Sequence, residues 1–427
     1  MAPSMVVEVS EPIELSRGES VNPLHKMDLA LTELLIVTLA DKSIFPGENV
    51  PEMYLEHFNV ARTCGVQWVE QSLWYRYPIL RHLAPHYSGF VWSTDLVGKT
   101  RHLFNEIVSL HRGNKDRSIV SYIDAYLEDI EQREGEEAKH NGQRALIASL
   151  ENFILGADAI VMGFYSLLYC LARYPDVQER MRKEIVQEIE GKNEGEEKGK
   201  FTLPYCWSVI LEIMRYIPQA GFGGPHHTEE EIIVNGSKVP PGTDVYPNLI
   251  GIIRGEEYWD EPSNFNPARF LDQDGKCQLP KYWIPFEIGA RACPGKSFAL
   301  EVLFRLGLNT VSELKLSFDG FVDGSRSCSD DLRFFGMSLV TQRPFKLKVE
   351  KHGLSPSRAK NLWLRAKMSL VMMKALKCFE RSIDGEDHQE NDLEMTIDRA
   401  DYQENDLDQK IKSSLRGRKQ STITREL

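Results

Sequence analysis

The residues most able to do chemistry lie in one run, Phe286-Glu287-Ile288-Gly289-Ala290-Arg291-Ala292-Cys293-Pro294-Gly295. It sets one cysteine at the mouth of a helical pattern with glycines on both sides, which is how a protein brings a thiolate up against a flat metal cofactor. A free cysteine has a pKa of about 8.5, so a standing thiolate needs a metal, a cation or a helix N-terminus. The pattern Ser297-Phe298-Ala299-Leu300-Glu301-Val302-Leu303 follows and aims free backbone N–H groups back at the sulfur. Pro294 suits a first helical turn, where its missing N–H costs nothing. Gly289 permits a positive φ or a close backbone approach, and Gly295 lets the helix lie near a flat ring system where a side chain would collide. The alternative for a lone thiol is a buried structural cysteine. That reading suits Cys206 and Cys277 better than Cys293, whose setting with Phe286, Gly289, Arg291 and Gly295 arises by chance in roughly one chain in ten thousand of this composition.

Other candidates precede that run. Glu212 and Arg215 sit three apart on a predicted helix, so they share a face and can pair. Alone the spacing is weak, because a solvated ion pair is its usual outcome. Asn266-Pro267-Ala268-Arg269-Phe270 then adds a second arginine. Between them lie Phe222, Gly223 and Gly224, then Pro225-His226, for which a surface turn histidine is an equal alternative to a functional one. Asn152 to Ala172 carries a single charge, Asp158, and is long enough to cross a bilayer. Its polar and small residues, Asn152, Gly156, Gly163 and Ser166, and its lack of ordered basic flanks favour instead the central helix of a large core.

The elements that must position these residues are mostly helical. Helical patterns run through Leu29–Leu39, Val60–Tyr77, Leu96–His111 and Ile119–Gln132, and the polar stretch Arg133–Asn141 leads into the long apolar helix. Pro175 ends or restarts that helix, Val177–Ile189 continues it, and Gly191–Lys200 reads as a solvated loop. Cys206–Tyr216 is a further helix, and Ile232-Ile233-Val234-Asn235-Gly236 marks a short hairpin. Prolines and aromatics punctuate Pro240–Pro285, and Phe345–Val349 reads as a strand. The fold class is mainly α, α+β overall.

Bulk properties exclude several classes. A net charge of -12 over 427 residues argues against nucleic acid as a partner. Seven scattered cysteines with no C-x-x-C form neither a disulfide framework nor a zinc site. Met1-Ala2-Pro3-Ser4-Met5 leads into acidic residues without the basic start or apolar run of a signal peptide, which points to a reducing, cytosol-facing location. The predicted organisation is an irregular leader over 1–25, a main domain over 26–350, a basic amphipathic helix over 351–382 and a charged, disordered tail over 383–427. The basic helix fits an anionic membrane surface or a docking groove, and equally a solvated helix docking on its own domain.

The cysteine run resembles the haem-ligand signature of the cytochrome P450 family, and the Glu212/Arg215 pair, the Asn266–Phe270 motif and the long helix follow in that family's order. The segment Ser121–Leu127 looks most like the microsomal animal, family 2-like branch. The resemblance runs from about residue 25 to about 350. The family's anchor, N-terminal sheet region and propionate-holding tryptophan helix have no counterpart that can be placed, so the domain reads as N-terminally truncated.

The resemblance implies a P450-like fold, a long central helix over the haem and small β-sheets. It implies haem b with Cys293 as axial metal ligand, and Phe286, Gly289, Arg291, Gly295 and His226 around the cofactor, Arg291 and His226 on its propionates. Glu212, Arg215 and Arg269 would interlock behind it as structural residues. Gly156 would leave room for dioxygen and Asp158 would feed a proton relay. Members usually carry a threonine after the acid, whereas Ala159 and Ile160 follow here, so proton delivery is less well directed and some reducing equivalents escape as hydrogen peroxide. The implied activity is oxidation of an apolar xenobiotic, steroid or fatty-acid type substrate by a monooxygenase at the cytoplasmic face of the endoplasmic reticulum. Its partners are dioxygen, a membrane surface and an NADPH-dependent flavoprotein reductase docking near Lys281, Lys296 and Arg305. The alternatives are an impaired relative acting as a haem-binding or interaction protein, or a membrane-spanning scaffold.

Overall fold

The computed structural model describes residues 20–21, parts of 32–41 and 54–57, and 73–113, 121–190, 203–318, 332–335, 339–342 and 345–351. In chain order these carry β1 (Ser20–Val21), α1 (Leu73–Arg76), α2 (Leu80–Leu83), α3 (Phe90–Gly113), α4 (Tyr122–Gln132), α5 (Glu136–Arg173), α6 (Pro175–Glu190) and α7 (Pro204–Tyr216). There follow β2 (His226–His227), β3 (Ile232–Val234), β4 (Ser237–Val239), β5 (Asp244–Val245), α8 (Leu249–Ile253), α9 (Lys296–Glu313), β6 (Leu314–Phe318), β7 (Leu332–Phe335), β8 (Leu339–Gln342) and β9 (Leu347–Lys351). The architecture is mainly helical with small antiparallel sheets: a three-stranded sheet in the order β1-β9-β6 and three two-stranded ribbons.

Local chemistry explains the boundaries. Ser121 caps α4 through a capping box with Asp124, each satisfying the other's backbone N–H. α7 starts at Pro204, and its next two N–H groups, of Tyr205 and Cys206, donate to the Glu184 carboxylate of α6 at 2.9 and 2.8 Å. One helix thus caps its neighbour. Between β3 and β4, Asn235 and Gly236 both take positive φ, 48° and 82°, as a two-residue hairpin turn requires.

The 38-residue α5 organises the core. Its first half, Leu146 to Ile154, packs with residues 35–40, α3 and α4. Its second half packs with α6, α7, α9, β6 and β9 in a larger cluster. Phe298, in the first turns of α9, touches both clusters. α5 is long and apolar enough to cross a membrane, yet 81% of its most apolar window is buried inside the protein.

Several expectations change. Of the polar stretch 133–141 only residues 133–135 join α4 to α5; the rest is already helix, because α5 starts at Glu136, right after Gly135 at φ 80°. Ser20–Val21 pairs with Leu347–Lys348 although it falls in the stretch read as irregular. β6, β7 and β8 had no sequence signal strong enough to predict them, and Val60–Tyr77 is described as helical only over 73–76. The basic helix, the tail and the 191–200 loop lie outside the described residues.

Candidate active site

The Glu212 side chain is the centre of a closed charge knot. Arg215 grips it with both ends of its fork, Nε donating to Oε2 at 2.7 Å and Nη2 to Oε1 at 2.9 Å. Arg269 Nε donates to the same Oε1 at 3.2 Å and the Asn266 N–H at 2.8 Å. The spare N–H groups of Arg215 reach the carbonyls of Ile253, Pro262 and Asn264, and those of Arg269 reach Asp260, Glu261 and Asn264. Glu212 and Arg215 are fully buried and Arg269 is 11% exposed. A buried carboxylate between two guanidiniums, with nearly every donor satisfied, is the arrangement in which the ionic contacts offset their desolvation.

The knot is wired to the cysteine run through aromatic packing. Phe270, next to Arg269, meets Trp283 edge-on, Trp283 donates to the Leu211 carbonyl at 2.9 Å, and Trp283 packs against Phe286. From Phe286 the chain makes a closed loop: the Cys293 N–H returns to the Phe286 carbonyl at 2.8 Å, and Ala292 N–H to Gly289 at 3.0 Å. Gly289 takes φ 77°, the positive value open to glycine. α9 then starts at Lys296, with Gly295 as its cap residue. A Cβ on Gly295 would touch only the Cys293 sulfur, at an ordinary 3.8 Å, so the fold itself does not demand glycine there.

Cys293 is exposed, in contrast to the buried Cys170 and Cys206. Its thiol pKa is raised, first by the protein atoms crowding one side of the sulfur and also by the charge of Glu287. The backbone N–H groups of Gly295 and Lys296 and the Lys296 ammonium pull it the other way. Burial first, and then the nearby carboxylates (Glu184 for both, Asp272 for Cys277), push Cys206 well up and Cys277 to about 12, in keeping with inert structural thiols. Arg291 is exposed and makes no ion pair among the described residues. Of the basic residues around the loop, Lys281 is exposed, Lys296 lies over the Trp283 ring at 5.8 Å, and Arg305 is committed to Glu301 at 2.6 Å.

The long helix presents a second open surface. Ala148, Asn152, Gly156 and Ala159 are exposed and fall at i, i+4, i+8 and i+11, one stripe along a helix whose other faces are largely covered. α5 runs unbroken through Gly156, where a Cβ would meet nothing within 4 Å, so the glycine opens on free space. Asp158, two positions on, is turned about 200° from it and buried at 5% exposure. Ile160 is buried as well. A Cβ on Gly163 would meet Leu303 at 3.0 Å, and one on Gly307 would meet Leu167 at 3.2 Å, so α5 and α9 run in the same sense where they cross. Their N-terminal portions, the open stripe and the Cys293 loop, therefore lie on the same side of that crossing.

Residues 16–349 match the sequence-family model described as Cytochrome P450. The chain belongs to the cytochrome P450 family. It is 27% identical over 252 residues to the probable cytochrome P450 508A1 of Dictyostelium discoideum, covering 58% of this chain and 50% of that protein. It is 32% identical over 203 residues to cytochrome P450 2B2 of Rattus norvegicus (46% and 41%) and 33% over 207 residues to cytochrome P450 2U1 of Homo sapiens (47% and 37%). The chain spans about half the length, or less, of the curated relatives it matches.

The residues of this P450 fit the family's cofactor. Among the described residues no group of three or more His, Cys, Asp or Glu side chains is placed to hold a metal ion, and Cys293 belongs to no such group. A porphyrin iron, which brings its own four nitrogens, asks the protein for little more. The uncovered stripe of small residues, the unpaired Arg291 and the exposed sulfur are surfaces a flat anionic ring would cover.

One residue escaped sequence reasoning. Glu287 lies inside the signature at φ 61°, a region that costs a non-glycine residue on the order of 1–3 kcal/mol. Its carboxylate accepts the Gly224 N–H at 2.7 Å and lies 3.9 Å from His226 Nε2. His226 is otherwise exposed on β2, paired in register with Val245. The one available signal was a carboxylate inside a motif expected to receive an anionic cofactor.

Proposed function

We propose that this chain is a haem-thiolate monooxygenase that oxidises apolar small molecules of xenobiotic, steroid or fatty-acid type, using dioxygen and electrons from an NADPH-dependent flavoprotein reductase. The exposed Cys293, set in a closed loop at the start of an 18-residue helix, carries the reading. Bound haem supplies dioxygen activation at an iron whose thiolate ligand favours O–O cleavage. Cys293 holds the thiolate, and the Gly295 and Lys296 amides stabilise its charge. Arg291 and His226 orient the cofactor's propionates. The Glu212 knot has no part in the chemistry and braces the 266–286 segment that leads to the loop.

With haem bound, the solvent-open stripe around Gly156 would leave room for a small ligand, and Phe222, half-buried, borders the substrate side. Asp158, which the family resemblance makes the proton donor, is buried on the other side of α5 from that stripe, so protons would have to reach the space by another route. Ala159 occupies the stripe where a hydroxyl would relay them, so a fraction of the electrons leaves as hydrogen peroxide. Lys281 is the accessible cation beside the loop for a reductase, with Arg305 withdrawn by Glu301. By likeness to microsomal relatives the setting is the cytoplasmic face of the endoplasmic reticulum.

The deciding experiment is the spectrum of the reduced, hemin-loaded protein under carbon monoxide. A red-shifted Soret band that is lost in Cys293→Ala is the expected result. A band at the position of histidine-ligated haem, or no haem uptake, overturns the ligand assignment. Product formation with a reductase then tests turnover, and peroxide release without product rejects the monooxygenase activity.

A further inference from the structure

We propose that Glu287 is an internal competitor for the haem propionate at His226, a carboxylate latch that holds the Gly223–His226 segment in the haem-free chain and gives up His226 when the cofactor loads. The inference rests on the haem reading above and concerns a residue that reading leaves without a role.

Both oxygens of Glu287 are engaged with one short segment. Oε1 accepts the Gly224 N–H at 2.7 Å, and Oε2 lies 3.9 Å from His226 Nε2. The contact is tight as well as polar. A Cβ on Gly223 would fall 2.3 Å from Oε1 and 2.8 Å from Cγ of Pro247, so glycine at 223 is what lets the carboxylate reach across. The segment is further pinned on its far side, where the Gly223 N–H donates to the Pro247 carbonyl at 2.9 Å. The Glu287 side chain is 18% exposed and the His226 ring 43%. The imidazole is therefore reachable from solvent while the carboxylate beside it is mostly covered.

His226 presents one ring nitrogen, Nε2, to two carboxylates, Glu287 and an arriving propionate. A propionate arriving there meets Glu287 already in place, and two carboxylates at one site repel unless one is displaced or protonated. Loading haem thus exchanges an internal anion for the cofactor's own, which lowers the net gain from that contact. Arg291, exposed and without an ion pair among the described residues, has no such rival. The two propionate contacts are therefore unequal, one open and one latched.

The test titrates the haem-free full-length chain with hemin and, separately, with hemin dimethyl ester, whose propionates carry no charge, following the Soret band. Glu287→Gln keeps the shape and can still accept the Gly224 N–H. It is expected to tighten hemin binding about tenfold, the size of one opposed charge near a protein surface, and to leave the dimethyl ester unchanged. Glu287→Ser removes the reach altogether and is expected to shift in the same direction, so one poorly folding variant does not decide the outcome. In a His226→Gln background the gain should vanish. Hemin affinity that is unchanged or weaker in both variants, with melting curves like the parent's, overturns the latch while the haem reading stands. An equal gain for the ester also overturns it. If neither parent nor variants take up hemin, the haem reading falls and the latch falls with it.

Discussion

The Glu212 knot and the Cys293 loop are joined by one aromatic run, yet they treat polar groups in opposite ways. In the knot both oxygens of a fully buried carboxylate are bound and two guanidiniums spend their remaining donors on backbone carbonyls. Around the loop the sulfur is exposed and Arg291 carries no ion pair among the described residues, and on α5 the stripe from Ala148 to Ala159 lies bare. The contrast separates charges spent on other protein groups from charges left open around the loop that we propose as the haem site. Saturation marks the first, and an open, pre-shaped surface marks the second.

The comparison breaks most readily at Glu212. Glu212→Ala would leave two guanidiniums facing each other without a counter-ion, and breaking a buried pair of this kind costs about 3–5 kcal/mol. A urea melt should show that loss, or no folded protein at all. Cys293→Ala, at an exposed site, should shift the same midpoint by no more than about 0.5 kcal/mol while abolishing the thiolate spectrum. A small effect at Glu212 with a large one at Cys293 would reverse the assignment of structural and functional residues.

Gly223→Ala sharpens the boundary between the regions. The added Cβ would meet Glu287 and the stiff Pro247 ring, so overpacking of about 1–3 kcal/mol is expected in thermal melts. In a Glu287→Ser background the cost should shrink, because only the Pro247 contact remains. An unchanged cost would mean that Glu287 moves aside freely and that its placement is not a constraint.

Much of this was legible in the sequence. The 3.6-residue periodicity marked α3 to α7 and α9, since helices reveal themselves over many residues. Fixed spacings between chemically unusual residues marked Cys293 and the Glu212 knot. The misses share a physical cause. β6 to β8 are four or five residues long, too short for a clear period; β6 takes its partner from far along the chain, as in the pairing of Leu316 with Val349, while β7 and β8 pair only with each other. Arg133–Asn141 looked like a connector because its residues are polar, but a solvated first turn needs no apolar stripe once it leads into a buried helix. Glu287 was passed over because its role depends on Gly224 and His226, some sixty residues away.

The smallest effect comes from a third ion pair, intermediate between knot and loop. His111 Nδ1 lies 2.7 Å from Asp124 Oδ1 with both side chains buried, but the other ring nitrogen, Nε2, has no partner among the described residues. Burial pushes the Asp124 carboxyl up, and the hydrogen bonds from His111 and Ser121 more than reverse it, leaving its pKa below the ordinary 3.8. A carboxyl with a lower pKa in the folded chain binds fewer protons there than when unfolded. Its contribution to stability is complete above 3.8 and is lost as pH falls through the folded value. Asp124→Asn removes that contribution, so the parent should be the more stable of the two at neutral pH and the urea midpoints should converge in acid. The gap should stay well below that of Glu212→Ala, because Asp124 faces one imidazole where Glu212 faces two guanidiniums. A gap that persists unchanged to the lowest pH at which the chain folds would show that Asp124 acts through its capping geometry and not through its charge.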